Sequence, residues 1–190
     1  MTDGNEAAAK VIAAFNHLGI EYLLAGSYSS NYYGIPRSTR DADFVAVFSS
    51  DISAVAEYLG PEFELDPQST FESVTGTLRE IIQVPSIKFK IEIFHLSDDP
   101  HDQSRFERKR EVCDEMLGCN AFIPSPEDVI LMKLRWATSA QRNKDIDDIA
   151  NVLAVLGDEA LDWDYIHRWT AEHGTREKLD EIRASIPPLD

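Results

Sequence analysis

The 190-residue sequence predicts an α/β (α+β) fold in which a small mixed β-sheet and its helices precede a C-terminal helical region. Three features predict it. Residues 22–48 read as a strand, a short helix and a second strand in close succession. Between residues 62 and 123, runs of strand composition alternate with turn residues. Beyond Pro124 every periodic segment is helical. The expected division is a core over residues 1–124 and a helical region over residues 125–190, packed directly on the core because no long linker separates them.

Taken in order, Ala8, Val11, Ile12, Phe15 and Leu18 recur at helical spacing after Asn5, and Gly19 ends the run. Residues 21–25 form a short apolar strand. Ser27 is placed as the N-cap of a helix reaching Tyr33, which Gly34-Ile35-Pro36 breaks. Residues 42–48 read as the next strand, and Asp51 as the cap of a helix ending at Leu59. Residues 62–65, 77–84 and 87–96 have strand composition. In the last, Phe89, Ile91 and Ile93 face one side, and Lys90, Glu92 and Phe94 the other. Residues 97–111 read as a charged stretch whose basic cluster (Arg105, Arg108, Lys109, Arg110) suits a surface helix, with a polyanion contact as the alternative. Two short strands form a hairpin around Gly118-Cys119-Asn120. Ser125-Pro126-Glu127-Asp128 then combines an N-cap, a proline at the first helical position and early acidic residues. The helix it opens is followed by others over residues 145–156, 163–172 and 175–184.

Composition narrows the function classes. Eighteen Lys and Arg against 34 Asp and Glu leave a formal charge of −16. Such a field disfavours non-specific binding to nucleic acid or to an anionic membrane. No window approaches the roughly 20 apolar residues of a membrane span, and no apolar leader opens the chain, so the cytoplasm is the expected location. Cys113 and Cys119 lack zinc or redox spacing and read as cytosolic thiols, with a disulfide across the hairpin as the lesser alternative.

The chemistry concentrates in Leu24-Ala25-Gly26-Ser27, a helix, and then Gly34 to Phe44. Gly26 lets the backbone approach a ligand closely. Ser27 opens a helix whose free N–H groups and positive dipole end suit a phosphate. Asp41 and Asp43 stand two apart on a strand, so both carboxylates leave the same face. Like charges this close repel unless a cation or proton intervenes, and magnesium favours such oxygen ligands with substrate phosphates completing its shell. Arg37 and Arg40 stand beside them.

That arrangement resembles the minimal signature of the DNA polymerase β-like nucleotidyltransferase superfamily: apolar-Gly-(Gly/Ser), a spacer, then Asp-apolar-(Asp/Glu)-apolar. The version here, Tyr-Gly-x-Pro-Arg-x-Thr-x-Asp-x-Asp over residues 33–43, is similar to bacterial stand-alone members, including relatives of abortive-infection toxins. A looser similarity covers Ser125 to Leu156, where a Pro-Glu-Asp helix with a lysine precedes an Arg-x-Lys-Asp-x-x-Asp helix. The resemblance implies transfer of a nucleoside monophosphate from a nucleoside triphosphate, ATP by default, to an acceptor hydroxyl. It implies one or two Mg²⁺ ions on Asp41, Asp43 and a third carboxylate on a later strand. Glu92 is the candidate for that third position, as ligand or as base, although the family more often has Asp there. Gly26, Ser27, Arg37, Thr39 and Lys133 would hold the nucleotide, and Asp145 matches an acidic position in toxin-like relatives.

Plainer readings stand beside these. Glu92 can pair with Lys90 on one surface face, and Lys133 can snorkel to solvent. Asp145, Asp147 and Asp148 suit a solvated helix face, the reading favoured for them. His95, Asp98, Asp99, His101 and Asp102 fall in a polar stretch without zinc spacing and read as a solvated turn. Trp136, Trp163 and Trp169 read as core or interface anchors, not as a base-stacking platform. A haloacid-dehalogenase-type phosphatase also uses Asp-x-Asp, but its apolar strand before the first Asp and its Thr after the second are replaced by polar residues and by Val45. A non-catalytic alternative keeps the fold as a nucleotide-binding or toxin–antitoxin-type interaction module with a partner protein. For the acceptor, the net charge favours a small molecule or a protein over RNA.

Overall fold

The computed structural model describes residues 3–48, 52–140 and 142–186; the expected cap at Asp51 lies outside them. Helix α1 (Gly4–Leu18) opens where the Asp3 carboxylate accepts the Glu6 N–H, and closes at Gly19 with φ 65°. Strand β1 (Tyr22–Ala25) runs straight into α2 (Gly26–Tyr33). Next come β2 (Asp41–Ala46), α3 (Ser53–Leu59), β3 (Glu64–Leu65), β4 (Thr70–Glu72) and β5 (Thr77–Val84). A 3₁₀ turn at Pro85–Ile87 leads into β6 (Phe89–His95). The six strands form one mixed sheet in the order β1-β2-β6-β5-β3, with β4 also on β5. Only β2 and β6 run parallel. This is the mixed sheet the sequence predicts.

One face of the sheet is apolar. Tyr22, Leu24, Phe44, Ile82, Ile91 and Ile93 pack with Val11, Ile12 and Phe15 of α1 and Val55 of α3. Helix α1 lies so close to β6 that a Cβ on Gly4 would fall 2.4 Å from the Phe89 ring. The other face carries Asp41, Asp43, Lys90 and Glu92. At one end of it Leu23 and Val45 pack under Phe106.

Phe106 belongs to α4 (Pro100–Glu107), a helix hidden in the stretch read as merely charged. Asp99 caps it, accepting the N–H groups of His101 and Asp102. The expected solvated turn is corrected here: His101, Asp102 and Arg105 are buried. Each is paired, Asp102 with Arg105 at 2.5 Å and His101 with Asp128 at 3.1 Å. The basic cluster is likewise no exposed helix face, since Arg108 bonds Glu127 and Asp128. Strands β7 (Arg110–Asp114) and β8 (Cys119–Ile123) form the expected hairpin. Cys113 lies opposite Asn120 and Cys119 opposite Asp114, so the thiols leave opposite faces and stay free.

Four helices follow: α5 (Pro126–Ala140), α6 (Asn143–Leu156), α7 (Trp163–His173) and α8 (Arg176–Ser185). Their apolar faces meet in a second core containing Ile130, Leu134, Ile149, Val152, Ile166 and Trp169. Tyr33, at the end of α2, packs against both cores and donates to the Pro124 carbonyl at 2.9 Å. Among the described residues, no helix is long and apolar enough to cross a membrane.

Candidate active site

The charged face of the sheet looks across a cleft of about 260 Å³ at α5 and the start of α6. Asp41 and Asp43 open β2 on this face, and register places Asp43 between Ala25 of β1 and Glu92 of β6. Gly26 begins α2 with φ 59°, a backbone that L side chains rarely adopt. A Cβ there would lie 1.9 Å from Asp43 Oδ2. The glycine therefore gives the Asp43 carboxylate its place against the start of α2. Burial, then the neighbouring Asp41 and Glu92 charges, push the Asp43 carboxyl up to about 7. Asp41 is steadied by Thr39, whose hydroxyl donates to its Oδ1 at 2.6 Å.

Ser27 is not the N-cap. Ala25 takes that position and α2 starts with no side-chain cap, leaving its first N–H groups free of a capping acceptor at the cleft wall. The buried Ser27 hydroxyl instead accepts from Arg37 Nη2 at 3.0 Å. Arg37 also grips Asp148 with two hydrogen bonds, 2.7 Å and 2.8 Å long. Lys133 Nζ donates to the same Asp148 at 2.6 Å and to Asp145 at 2.9 Å. The solvated face expected for Asp145 and Asp148 is thus corrected, because both are buried. Burial works against ionising Asp148, but the Arg37 and Lys133 bonds outweigh it and hold its carboxyl below the ordinary range. Asp145 keeps one oxygen, Oδ2, buried without a hydrogen-bond partner on the cleft wall, with Arg142 Nη1 4.0 Å away.

Glu92 sits one strand from Asp43, but its carboxylate is engaged twice. Arg79 Nη1 donates to Oε2 at 3.0 Å, and Lys90 pairs with Oε1. The Lys90 pair exists as the plainer reading had it, yet on a buried glutamate instead of an exposed one.

The donor set can be tested against a divalent ion. Asp41 and Asp43 offer hard oxygens from one strand face, and burial with the crowding of Asp41 and Glu92 outweighs the pull of Lys133 and Lys144 on the Asp43 carboxyl. Among the described residues, no three carboxylate, imidazole or thiolate groups stand close enough to hold an ion together. An ion held by this pair would need its remaining ligands from outside the protein.

No protein-family model matches the sequence, and no curated protein matches it. Solved structures do. The antibiotic-resistance factor ANT(2″)-Ia, in its solution structure, aligns over 95% of this chain and 96% of its own, with TM-score 0.61 and 15% identity. The nucleotidyltransferase-like antigen of Paracoccidioides brasiliensis aligns over 98% and 95%, with TM-score 0.56 and 17% identity. The lincosamide adenylyltransferase LnuA aligns over 80% and 98%, with TM-score 0.54 and 13% identity. The chain has the nucleotidyltransferase fold of these structures. On that fold, the cleft gains residues that sequence reasoning passed over. Glu72 and Arg79 come from β4 and β5, and Arg142 and Lys144 from the N-terminal end of α6. Trp136, read as a packing anchor, also lines the cleft, with Arg142 5.2 Å from its ring centre. Trp169 is a true core residue. The Arg-x-Lys-Asp-x-x-Asp run was the available signal for Arg142, Lys144 and Asp148. Nothing local in the sequence distinguishes Arg79.

Proposed function

We propose that this nucleotidyltransferase-fold chain is a metal-dependent nucleotidyltransferase, moving a nucleoside monophosphate from a nucleoside triphosphate to an acceptor hydroxyl. The observation that carries this reading is the junction of Asp41 and Asp43 with the uncapped start of α2, in one cleft. Asp41 and Asp43 would hold magnesium, with ATP the default nucleotide. Bound there, the ion supplies charge neutralisation on the triphosphate and the departing pyrophosphate. The first N–H groups of α2 receive phosphate oxygens. Arg37 and Lys133 are spent on Asp148, so they fix Ser27 and the α2–α6 contact before they touch nucleotide. Among the described residues Lys144 has no ion pair within reach, which leaves it, with Arg142, to face the triphosphate. The acceptor hydroxyl forms the new bond to the α-phosphorus as the bond to pyrophosphate breaks. Its proton passes to a cleft carboxylate. Glu92 must release a cation to take it, whereas Asp145 Oδ2 has a lone pair to spare.

For the acceptor, a small molecule or a protein side chain suits a chain of charge −16 better than RNA does. ANT(2″)-Ia has been solved with adenylyl-2″-tobramycin and LnuA with lincomycin, both small molecules, which supports the same class here. Thermal melts with magnesium and ATP test the metal pair. The parent should gain stability from the two together, and Asp41→Asn with Asp43→Asn should lose that gain. Equal ligand stabilisation in both proteins would remove these residues from the site. Labelled nucleoside triphosphates incubated with a fractionated lysate then locate the acceptor.

A further inference from the structure

Helix α5 divides its side chains between core and cleft. Ile130, Leu131 and Leu134 turn into the second core, whereas Met132, Lys133 and Trp136 line the cleft. Met132 and Trp136 stand four residues apart and so share one face of the helix. Among the described residues, neither belongs to any of the apolar clusters that hold the fold together.

The other two tryptophans show the contrast. Trp169 is buried in the second core. Trp163 packs against that core, donates its ring N–H to the Asp158 carbonyl at 2.9 Å and lies under Arg183 at 4.0 Å. Trp136 is half-buried, and what covers it is Arg142, whose guanidinium carbon sits 5.2 Å from the ring centre. That cover is loose. Asp145 Oδ2 is 4.0 Å from Arg142 Nη1, beyond hydrogen-bonding distance, and no hydrogen bond fixes the guanidinium among the described residues.

We propose that Trp136 is the platform on which the nucleobase stacks, with Arg142 closing over the base from the other side. This role rests on the nucleotidyltransferase reading and supplies the half of the nucleotide site that the phosphate-facing residues leave open. Of the parts of a nucleoside triphosphate, the base alone presents flat, weakly polar faces, and an indole is their match. The phosphate end falls to the start of α2. From there Ser27, Arg37, Asp148 and Lys133 form a chain of hydrogen bonds. Trp136 follows Lys133 by three residues, about 4.5 Å of helix rise. Both ends line one cleft, so a single nucleotide can touch both. A base resting on the indole would take the place of the loose cation contact and keep the guanidinium on its own outer face. Stacking accepts any base, so the ring sets affinity and leaves the choice among nucleotides to other groups.

The test separates base from phosphates. Calorimetric titrations compare magnesium-ATP with magnesium tripolyphosphate in the parent, Trp136→Leu and Trp136→Phe. The leucine variant should bind ATP about tenfold more weakly and tripolyphosphate as the parent does, while the phenylalanine variant, which keeps a ring, should stay within about threefold for both. ATP should also quench indole emission in the parent but not in Trp136→Phe. A quench that persists there comes from Trp163 or Trp169 and overturns the platform. Equal losses of ATP and tripolyphosphate in Trp136→Leu would overturn it too, making the ring a support of the phosphate site. Unchanged ATP affinity with slower transfer would give the ring to the acceptor instead. Should the leucine variant fail to fold, the fluorescence of the phenylalanine variant decides alone. If the parent binds neither ligand, the nucleotidyltransferase reading fails and the platform with it; if it binds both and Trp136→Leu binds ATP equally well, only the platform falls.

Discussion

The two faces of the main sheet use the same strands for opposite ends. On β2, Ala42, Phe44 and Ala46 enter the core while Asp41 and Asp43 face the cleft. On β6, Ile91 and Ile93 are buried among apolar neighbours, while Lys90 and Glu92 line the cleft between them. The two sets are locked together, because a one-residue slip between β2 and β6 would drive carboxylates into the core. The apolar face therefore sets the register that brings Asp43 beside Glu92. Residues without chemistry of their own fix the geometry of those that have it.

The comparison breaks most severely at Phe44. It is fully buried and packs edge-on to Phe15 at 5.4 Å. Phe44→Ala should cost about 3–5 kcal/mol of stability, read by chemical denaturation. The fraction that stays folded should still respond to magnesium and ATP. Loss of that response in folded protein would show that the two faces are not separable.

Asp43→Asn, its immediate neighbour, should do the reverse. Removing a charge crowded by Asp41 and Glu92 leaves ligand-free stability equal or slightly higher, while nucleotidyl transfer falls about 10²–10³-fold. Denaturation curves and label transfer check the two halves separately. A destabilised Asp43→Asn protein would mean the carboxylate holds the fold and not a metal.

The core face was legible in the sequence because period-two alternation is a local signal: Phe89, Ile91 and Ile93 announce themselves. Asp41, Asp43 and Gly26 were legible as a pattern, though the pattern did not show that Gly26 makes room for Asp43. The remainder is non-local. Asp145 and Asp148 look solvated along α6, and only a Lys133 twelve residues before Asp145 and an Arg37 far back in the chain explain their burial. In α4 the buried positions are His101, Asp102 and Arg105 beside Phe106, so paired polar groups mask the helical stripe. Strand β4 is too short to leave a period at all.

That polar packing on α4 suggests a smaller effect that the apolar face should lack. His101 touches Trp169 and His173, with ring centres 4.8 Å and 4.9 Å away. Burial lowers His101, against the opposing pull of Asp128, and burial with Arg135 and His101 nearby brings His173 down to about 4. A histidine depressed in the fold takes up its proton more readily when unfolded. Stability should therefore be complete above pH 6.5 and decline as pH falls towards 4. Melts across that range check it, and His173→Gln should flatten the decline. An unchanged slope in the variant would place the acid sensitivity elsewhere.

The finest division falls within one strand, between neighbours on opposite faces. Ile91→Val removes one methyl group from the core and should cost about 0.5–1.5 kcal/mol, with transfer per folded molecule unaltered. Glu92→Gln keeps the size and most of the hydrogen bonding but discharges the partner of Arg79 and Lys90. If Glu92 serves mainly to neutralise those two cations, the glutamine variant should retain most of its activity and lose nucleotide affinity only slightly. If it completes the metal set or takes the acceptor's proton, transfer should fall as far as in Asp43→Asn. The chain favours the first outcome, because both glutamate oxygens already have cationic partners while Asp145 Oδ2 has none within hydrogen-bonding distance. Asp145→Asn in parallel supplies the contrast: a larger loss of transfer there than in Glu92→Gln, at equal nucleotide affinity, would assign the proton to α6 and leave β6 a structural edge of the site. The opposite ranking would return Glu92 to the centre of the chemistry.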